Sequence, residues 1–180
     1  MHSNTSLSGW LASCRIALAA FALLAARPVL ADDMAAIESM PPAAFPDLSY
    51  KDAQDTAHTL KSDLGKLTLV HFWATWCGPC VQELPALDRL QKDYGGKGLK
   101  VVSLSEDAQM PTVLAFYAEH NIANLPTNLD IDTSAFREVN GRGIPTSYIL
   151  DSTGRKIALA EGPVDWQGKQ AVDFIEGHLK

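Results

Sequence analysis

The sequence predicts an α/β sandwich built around a mixed sheet, and three observations predict it. Strand-like and helix-like stretches alternate along most of the chain. The β-rich apolar run Leu67–Trp73 ends directly at a cysteine pair that opens a helical pattern. Near the C-terminus two strand-like stretches flank a turn-rich loop, and a helix follows them.

The elements follow in order. Residues 32–46, with Pro41, Pro42 and Pro46, read as a lead-in linker, so order is expected to begin near Asp47 and the folded domain to span 47–180. Leu67–Trp73 has the apolar content of a buried central strand. The helix after the cysteine pair carries Val81, Leu84, Leu87 and Leu90 at three-residue steps and stops at Gly95-Gly96. Leu99–Leu104 is a second buried strand, and Val113–His120 a helix opened by Pro111-Thr112. Thr127–Asp130 is a short strand, and Thr133 or Ser134 caps a brief helix through Val139. Thr146–Leu150 and Lys156–Glu161 form a hairpin around Asp151-Ser152-Thr153-Gly154, and Asp165–Leu179 is the closing helix.

The N-terminus has a different composition. Residues 1–31 hold Arg15 and Arg27 and none of the 21 acidic residues of the chain. Between the arginines lies Ile16–Ala26, an apolar run that suits a signal-peptide core and is shorter than the ~20 residues a membrane span needs. Val29-Leu30-Ala31 supplies a cleavage site. Residues 1–31 are therefore expected to be a secretory signal, the alternative being an uncleaved anchor. Removing them removes Cys14 and leaves Cys77 and Cys80 in an oxidising compartment.

The 180 residues carry a formal charge of −6 with no Lys/Arg cluster, which offers nothing to grip nucleic acid phosphates. Three cysteines are too few for a disulfide scaffold. A C-x-x-C pair between a strand and a helix instead reads as a redox dithiol. At the helix N-terminus Cys77 is favoured as thiolate by unpaired N–H groups and the macrodipole, so it is the attacking sulfur. Cys80, one turn further in, resolves the mixed disulfide, and Pro79 near the first helical position costs no hydrogen bond. Zinc would need about four ligands, and His58, His71, His120 and His178 show no ligand spacing. No metal and no organic cofactor is expected, although two thiolates alone suit Cu(I). Glu83, three residues beyond Cys80, shares that cysteine's helix face and is either its proton relay or a solvated carboxylate.

Phe72-Trp73-Ala74-Thr75-Trp76-Cys77-Gly78-Pro79-Cys80, Glu83-Leu84-Pro85 and Gly143-Ile144-Pro145-Thr146 together resemble the thioredoxin superfamily. The Cys80-x-x-Glu83-x-Pro85 extension is similar to its TlpA/ResA-like branch, and Glu161–Trp166 is similar to alphaproteobacterial TlpA proteins. The resemblance implies a thioredoxin fold with a helical insert near Pro111–Leu125. It makes Pro145 a cis-proline that leaves the Ile144 backbone free to bind a substrate segment as an added strand. Trp76, Gly78 and Pro79 complete the substrate surface. His71 stands where thioredoxin has a buried acid and TlpA-like proteins a polar amide, so it is either a modulator of thiolate formation or a satisfied strand histidine. The implied activity is a monomeric periplasmic thiol:disulfide reductase fed by a membrane electron donor of the CcdA or DsbD kind. Its clients would be disulfide-bearing apo-proteins of cytochrome c or cytochrome oxidase copper-site maturation. A disulfide oxidase or isomerase, and a Cu(I)-handling protein using the same two cysteines, stand as alternatives.

Overall fold

The computed structural model describes residues 34–180; the expected signal segment 1–31 and Cys14 lie outside them. Among the described residues eight strands form one mixed sheet: β1 (Glu38–Ala43), β2 (Ser49–Asp52), β3 (Ala57–Thr59), β4 (Leu67–Trp73), β5 (Leu99–Ser105), β6 (Asn128–Leu129), β7 (Thr146–Asp151) and β8 (Lys156–Glu161). Their spatial order is β1-β8-β7-β4-β5-β6-β2-β3. β4 runs parallel to β5 and β5 to β6, and the other pairs are antiparallel. All seven residues of β4 are buried. A central strand covered on both faces is apolar at nearly every position, which is why β4 reads as a near-continuous run broken only by Thr68 and His71 and not as an alternation.

The two faces have different cores. Leu67, Leu69 and Trp73 point to the side covered by α1 (Gly78–Tyr94), α2 (Met110–Glu119) and α4 (Lys169–Leu179). Val70 and Phe72 point to the other side, where they meet Leu48, Tyr50, Leu60 and Ala135 of α3 (Ser134–Glu138). By this alternation His71 of β4, Ser103 of β5 and Ser147 of β7, which pair across the strands, share the α1 face. Among the described residues, no helix is long and apolar enough to cross a membrane.

Several elements differ from the sequence-based reading. The lead-in 32–46 is not a linker throughout: Glu38–Ala43 is an edge strand pairing antiparallel with β8, and Ala35 N–H donates to Pro163 O at 2.6 Å. Pro41 and Pro42 are tolerated because they fall where the pairing of this edge strand shifts register between Ser39 and Ala43, so neither has to donate to a regular ladder. The short polar strands β2 and β3 had no period to betray them. The brief helix α3 is not capped by Thr133 or Ser134. Asp130 accepts its first free N–H groups, from Ala135 at 2.9 Å and Phe136 at 2.8 Å, and Thr133 has a φ of 54°. α4 starts at Lys169 and not at Asp165, because residues 163–168 form a loop that turns at Asp165–Gly168 and gives the Val164 and Trp166 N–H groups to Glu83 of the active-site helix. The insert region contains α2, and the loop after it is tied to α1 by Asp88, whose carboxylate accepts N–H bonds from Ala123, Asn124 and Leu125.

Candidate active site

The site forms where β4 ends and α1 begins. Thr75 anchors the connecting loop, its N–H and hydroxyl donating to the Asp107 carboxylate at 2.9 and 2.6 Å. Asp107 is in turn held by the Ser105 hydroxyl at 2.6 Å. Cys77 is the residue flanking the start of α1, and its sulfur receives the Cys80 N–H at 3.4 Å. Pro79 sits in the first turn, where its missing N–H leaves no gap in the helix. Cys77 and Cys80 are joined as a disulfide with 5.3 Å between their Cα atoms.

The pair is asymmetric. Cys77 is 7% exposed and Cys80 fully buried. The Ile144–Pro145 peptide is cis, and Ile144 O lies 3.7 Å from Cys77 Sγ. Gly162, at a φ of 111°, donates its N–H to Pro145 O at 2.9 Å and so braces this loop from β8. Trp76 is 70% exposed, and Gly78 and Pro79 are exposed beside it. The sulfur open to solvent is therefore rimmed by an indole and by backbone.

Behind the disulfide lies a buried polar layer. Glu83 shares the core-facing side of α1 with Cys80, Leu84, Leu87 and Leu90, so it is not a solvated carboxylate. Its Oε2 accepts the Val164 N–H and the Trp166 indole N–H, both at 2.9 Å. Its Oε1 is buried without a hydrogen bond and faces Nε2 of His71, likewise unbonded, at 3.6 Å. Nδ1 of His71 is 2.9 Å from the Ser147 hydroxyl. Burial pushes the Glu83 carboxyl up to about 8, against the lowering effect of the two N–H donors. Burial also pushes the His71 imidazole down to about 3. At neutral pH the two groups therefore hold their proton on the carboxyl and are not an ion pair. Among the described residues, no group of three or more His, Cys, Asp or Glu is placed to hold a metal ion.

The structure thus gathers exposed Trp76, Gly78 and Pro79 around Cys77 and half-buried Ile144, with Pro145, Cys80, Glu83 and His71 buried behind them. Sequence reasoning missed Ser147, Asp107, Val164 and Trp166. The last two lie in the Glu161–Trp166 segment that carried part of the family resemblance, so a signal for them existed.

A cysteine pair at the head of a helix on this fold defines a class, the thiol-disulfide oxidoreductases of thioredoxin fold. Within that class the chain belongs to the AhpC/TSA family, which residues 41–158 match. It is 36% identical over 110 residues to the thioredoxin-like protein YneN of Bacillus subtilis, a match covering 61% of this chain and 64% of that protein. It is 27% identical over 135 residues to the thiol-disulfide oxidoreductase ResA of Bacillus cereus, covering 75% of this chain and 74% of ResA. Among solved structures it is similar to a thiol:disulfide interchange protein of the thioredoxin family from Chlorobium tepidum, with a TM-score of 0.64 and 26% identity over 78% of this chain and 99% of that one. StoA of Bacillus subtilis shares the fold, with a TM-score of 0.60 and 22% identity over 77% of this chain and all of StoA.

Proposed function

We propose that this oxidoreductase works as a reductase of client disulfides. The observation that carries the reading is the asymmetry of the pair, with Cys77 at an open rim beside Ile144 and Cys80 buried one helical turn from Glu83. The Cys77 thiolate attacks one sulfur of a client disulfide, and the other client sulfur leaves as a thiolate. Cys80 gives its proton to the Glu83 carboxylate and attacks the Cys77 sulfur, releasing the second client thiolate. Two electrons have passed to the client, and Cys77–Cys80 is a disulfide.

Reopening the pair needs an external dithiol, which we assign to a membrane carrier of the CcdA or DsbD kind. When that donor attacks Cys77, Cys80 leaves as a buried thiolate and takes the proton back from Glu83. A carboxyl held at about 8 is suited to this exchange, because its proton is available at neutral pH and not tightly retained. Client backbone would align along Ile144 as an added strand.

The signal-like composition of residues 1–31 supports action in the periplasm. Apo-proteins whose metal-binding or haem-binding cysteines must be reduced, as in cytochrome c or cytochrome oxidase copper-site maturation, fit as clients. Equilibration of the full chain with glutathione buffers tests the direction. A potential near roughly −270 mV supports a reductase with a dedicated donor, and one near roughly −120 mV would instead mean an oxidase.

A further inference from the structure

The mechanism above uses Glu83 and leaves two fully buried polar groups behind it unexplained, His71 and Ser147. A histidine inside an apolar core costs free energy unless its nitrogens are satisfied. Nδ1 is satisfied by the Ser147 hydroxyl at 2.9 Å. Nε2 has no partner except the facing Oε1 of Glu83, which also has none, across 3.6 Å.

The chemistry of the three groups is complementary. A hydroxyl both donates and accepts, and a neutral imidazole carries one N–H that can reside on either nitrogen. With the N–H on Nδ1, Ser147 accepts it and Nε2 offers a lone pair to a Glu83 carboxyl. With the N–H on Nε2, Ser147 donates to Nδ1 and the ring offers a donor to a Glu83 carboxylate. Moving between the two arrangements shifts one ring proton and turns one hydroxyl, so the ring stays neutral throughout and the only charge that changes is that of Glu83, as its proton passes to the Cys80 thiolate. The other carboxylate oxygen is already fixed by Val164 and Trp166, so the mobile proton belongs to Oε1.

We propose that His71, backed by Ser147, is the positioning residue for the Glu83 proton, pairing with Oε1 as acceptor when the carboxyl is protonated and as donor when it is ionised. This deepens the proposed mechanism and rests on it. The other polar groups on the same face do not compete. From β5 comes Ser103, bonded to Tyr117 of α2 at 3.2 Å, and burial pushes that phenol up to about 12, so it stays neutral. From α1 comes Cys80, held in the disulfide. From the segment before α4 come only the Val164 and Trp166 donors. Among the described residues no other charged group bonds to His71 or Glu83.

The test follows the rate at which dithiothreitol opens the Cys77–Cys80 disulfide of the full chain as a function of pH. It adds reduced-minus-oxidised infrared spectra of the protonated carboxyl band. Divided by the fraction of dithiothreitol present as thiolate at each pH, the wild-type rate falls as Glu83 loses its proton. His71→Leu removes both pairing modes, and the midpoint of that fall is expected to move to higher pH by about one unit, with a displaced carboxyl band. His71→Gln places an amide, which can also donate or accept, near the position of Nε2 and is expected to recover at least half of the shift. Ser147→Ala keeps the ring but removes the group that lets it change tautomer. It is expected to move the midpoint and band in the same direction by less, and it serves where His71→Leu does not fold. Superposable pH profiles and bands for the wild type and the folded variants would overturn the proposal, as would a His71→Gln profile as displaced as that of His71→Leu. A wild-type disulfide that dithiothreitol does not open at any pH would instead defeat the redox reading itself.

Discussion

The backbone oxygen of Ile144 stands 3.7 Å from the sulfur of Cys77, while Cys80, one turn along the same helix, is sealed from solvent. Only one of the two sulfurs can therefore meet a client. In the reduced protein, iodoacetamide is expected to modify Cys77 at least about tenfold faster than Cys80, because thiolate character and access coincide there. Cys80→Ser should accumulate a mixed disulfide with an oxidised protein substrate, and Cys77→Ser should not. Intact-mass analysis reads both, and equal labelling of the two cysteines would contradict the assigned order of attack.

Trp76 is a large apolar side chain left 70% exposed immediately before the attacking cysteine. Its removal opens no core cavity, so Trp76→Ala should leave the unfolding midpoint almost unchanged. A tryptophan beside the reacting sulfur lies at the centre of the client contact, where such side chains commonly carry more than ~1 kcal/mol of binding energy. The variant is therefore expected to lose about tenfold in kcat/KM with a protein disulfide and to retain its rate with a small disulfide. An equal loss with both substrates would assign Trp76 to the geometry of the pair and not to client contact.

What could be read from the sequence was what obeys local rules. β4 was legible because burial on both faces favours a near-continuous apolar run, and Cys77, Cys80 and Glu83 because helix periodicity places them on one end and one face. β1 was not, since Pro41 and Pro42 are signals of a linker and of an edge strand alike, and only its pairing with β8 decides between them. The surroundings of Glu83 were equally hidden. Its donors Val164 and Trp166 lie 81 and 83 residues away, and Ser147 is 76 residues from His71. Such contacts are set by topology, which no local pattern encodes.

The start of α3 offers a direct test of one misreading. Asp130 is buried and its two carboxylate oxygens accept the N–H groups of Ala135 and Phe136, whereas the side chain of Thr133 caps nothing. Asp130→Ala leaves two donors without partners and should lower stability by about 2 kcal/mol in urea unfolding. Thr133→Gly removes a Cβ at a φ of 54° and is expected to be neutral or slightly stabilising. A large loss for Thr133→Gly with none for Asp130→Ala would restore the local cap.

The buried pair beneath the disulfide also sets how stability depends on pH. Burial raises Glu83 from 4.5 to about 8 and lowers His71 from 6.5 to about 3. Between pH 4.5 and 6.5 the unfolded chain holds one proton on the histidine and the folded chain one on the carboxyl, so the pair contributes no slope. Above pH 6.5 the folded state binds one proton more, and stability falls as pH rises towards 8. Below pH 4.5 the unfolded state binds one more, and stability falls as pH drops towards 3. Each limb should have a slope of about 1.4 kcal/mol per pH unit. Glu106, raised to about 9 mainly by burial, adds a slope of the same sign as Glu83, so the effect is read as wild type minus variant. In urea unfolding of the oxidised protein, Glu83→Gln should abolish the alkaline limb, and His71→Gln the acid limb. A wild type minus Glu83→Gln difference that is level from pH 6.5 to 8 would mean that the carboxylate is already ionised in the folded oxidised protein, and Glu83 could not then return a proton to Cys80.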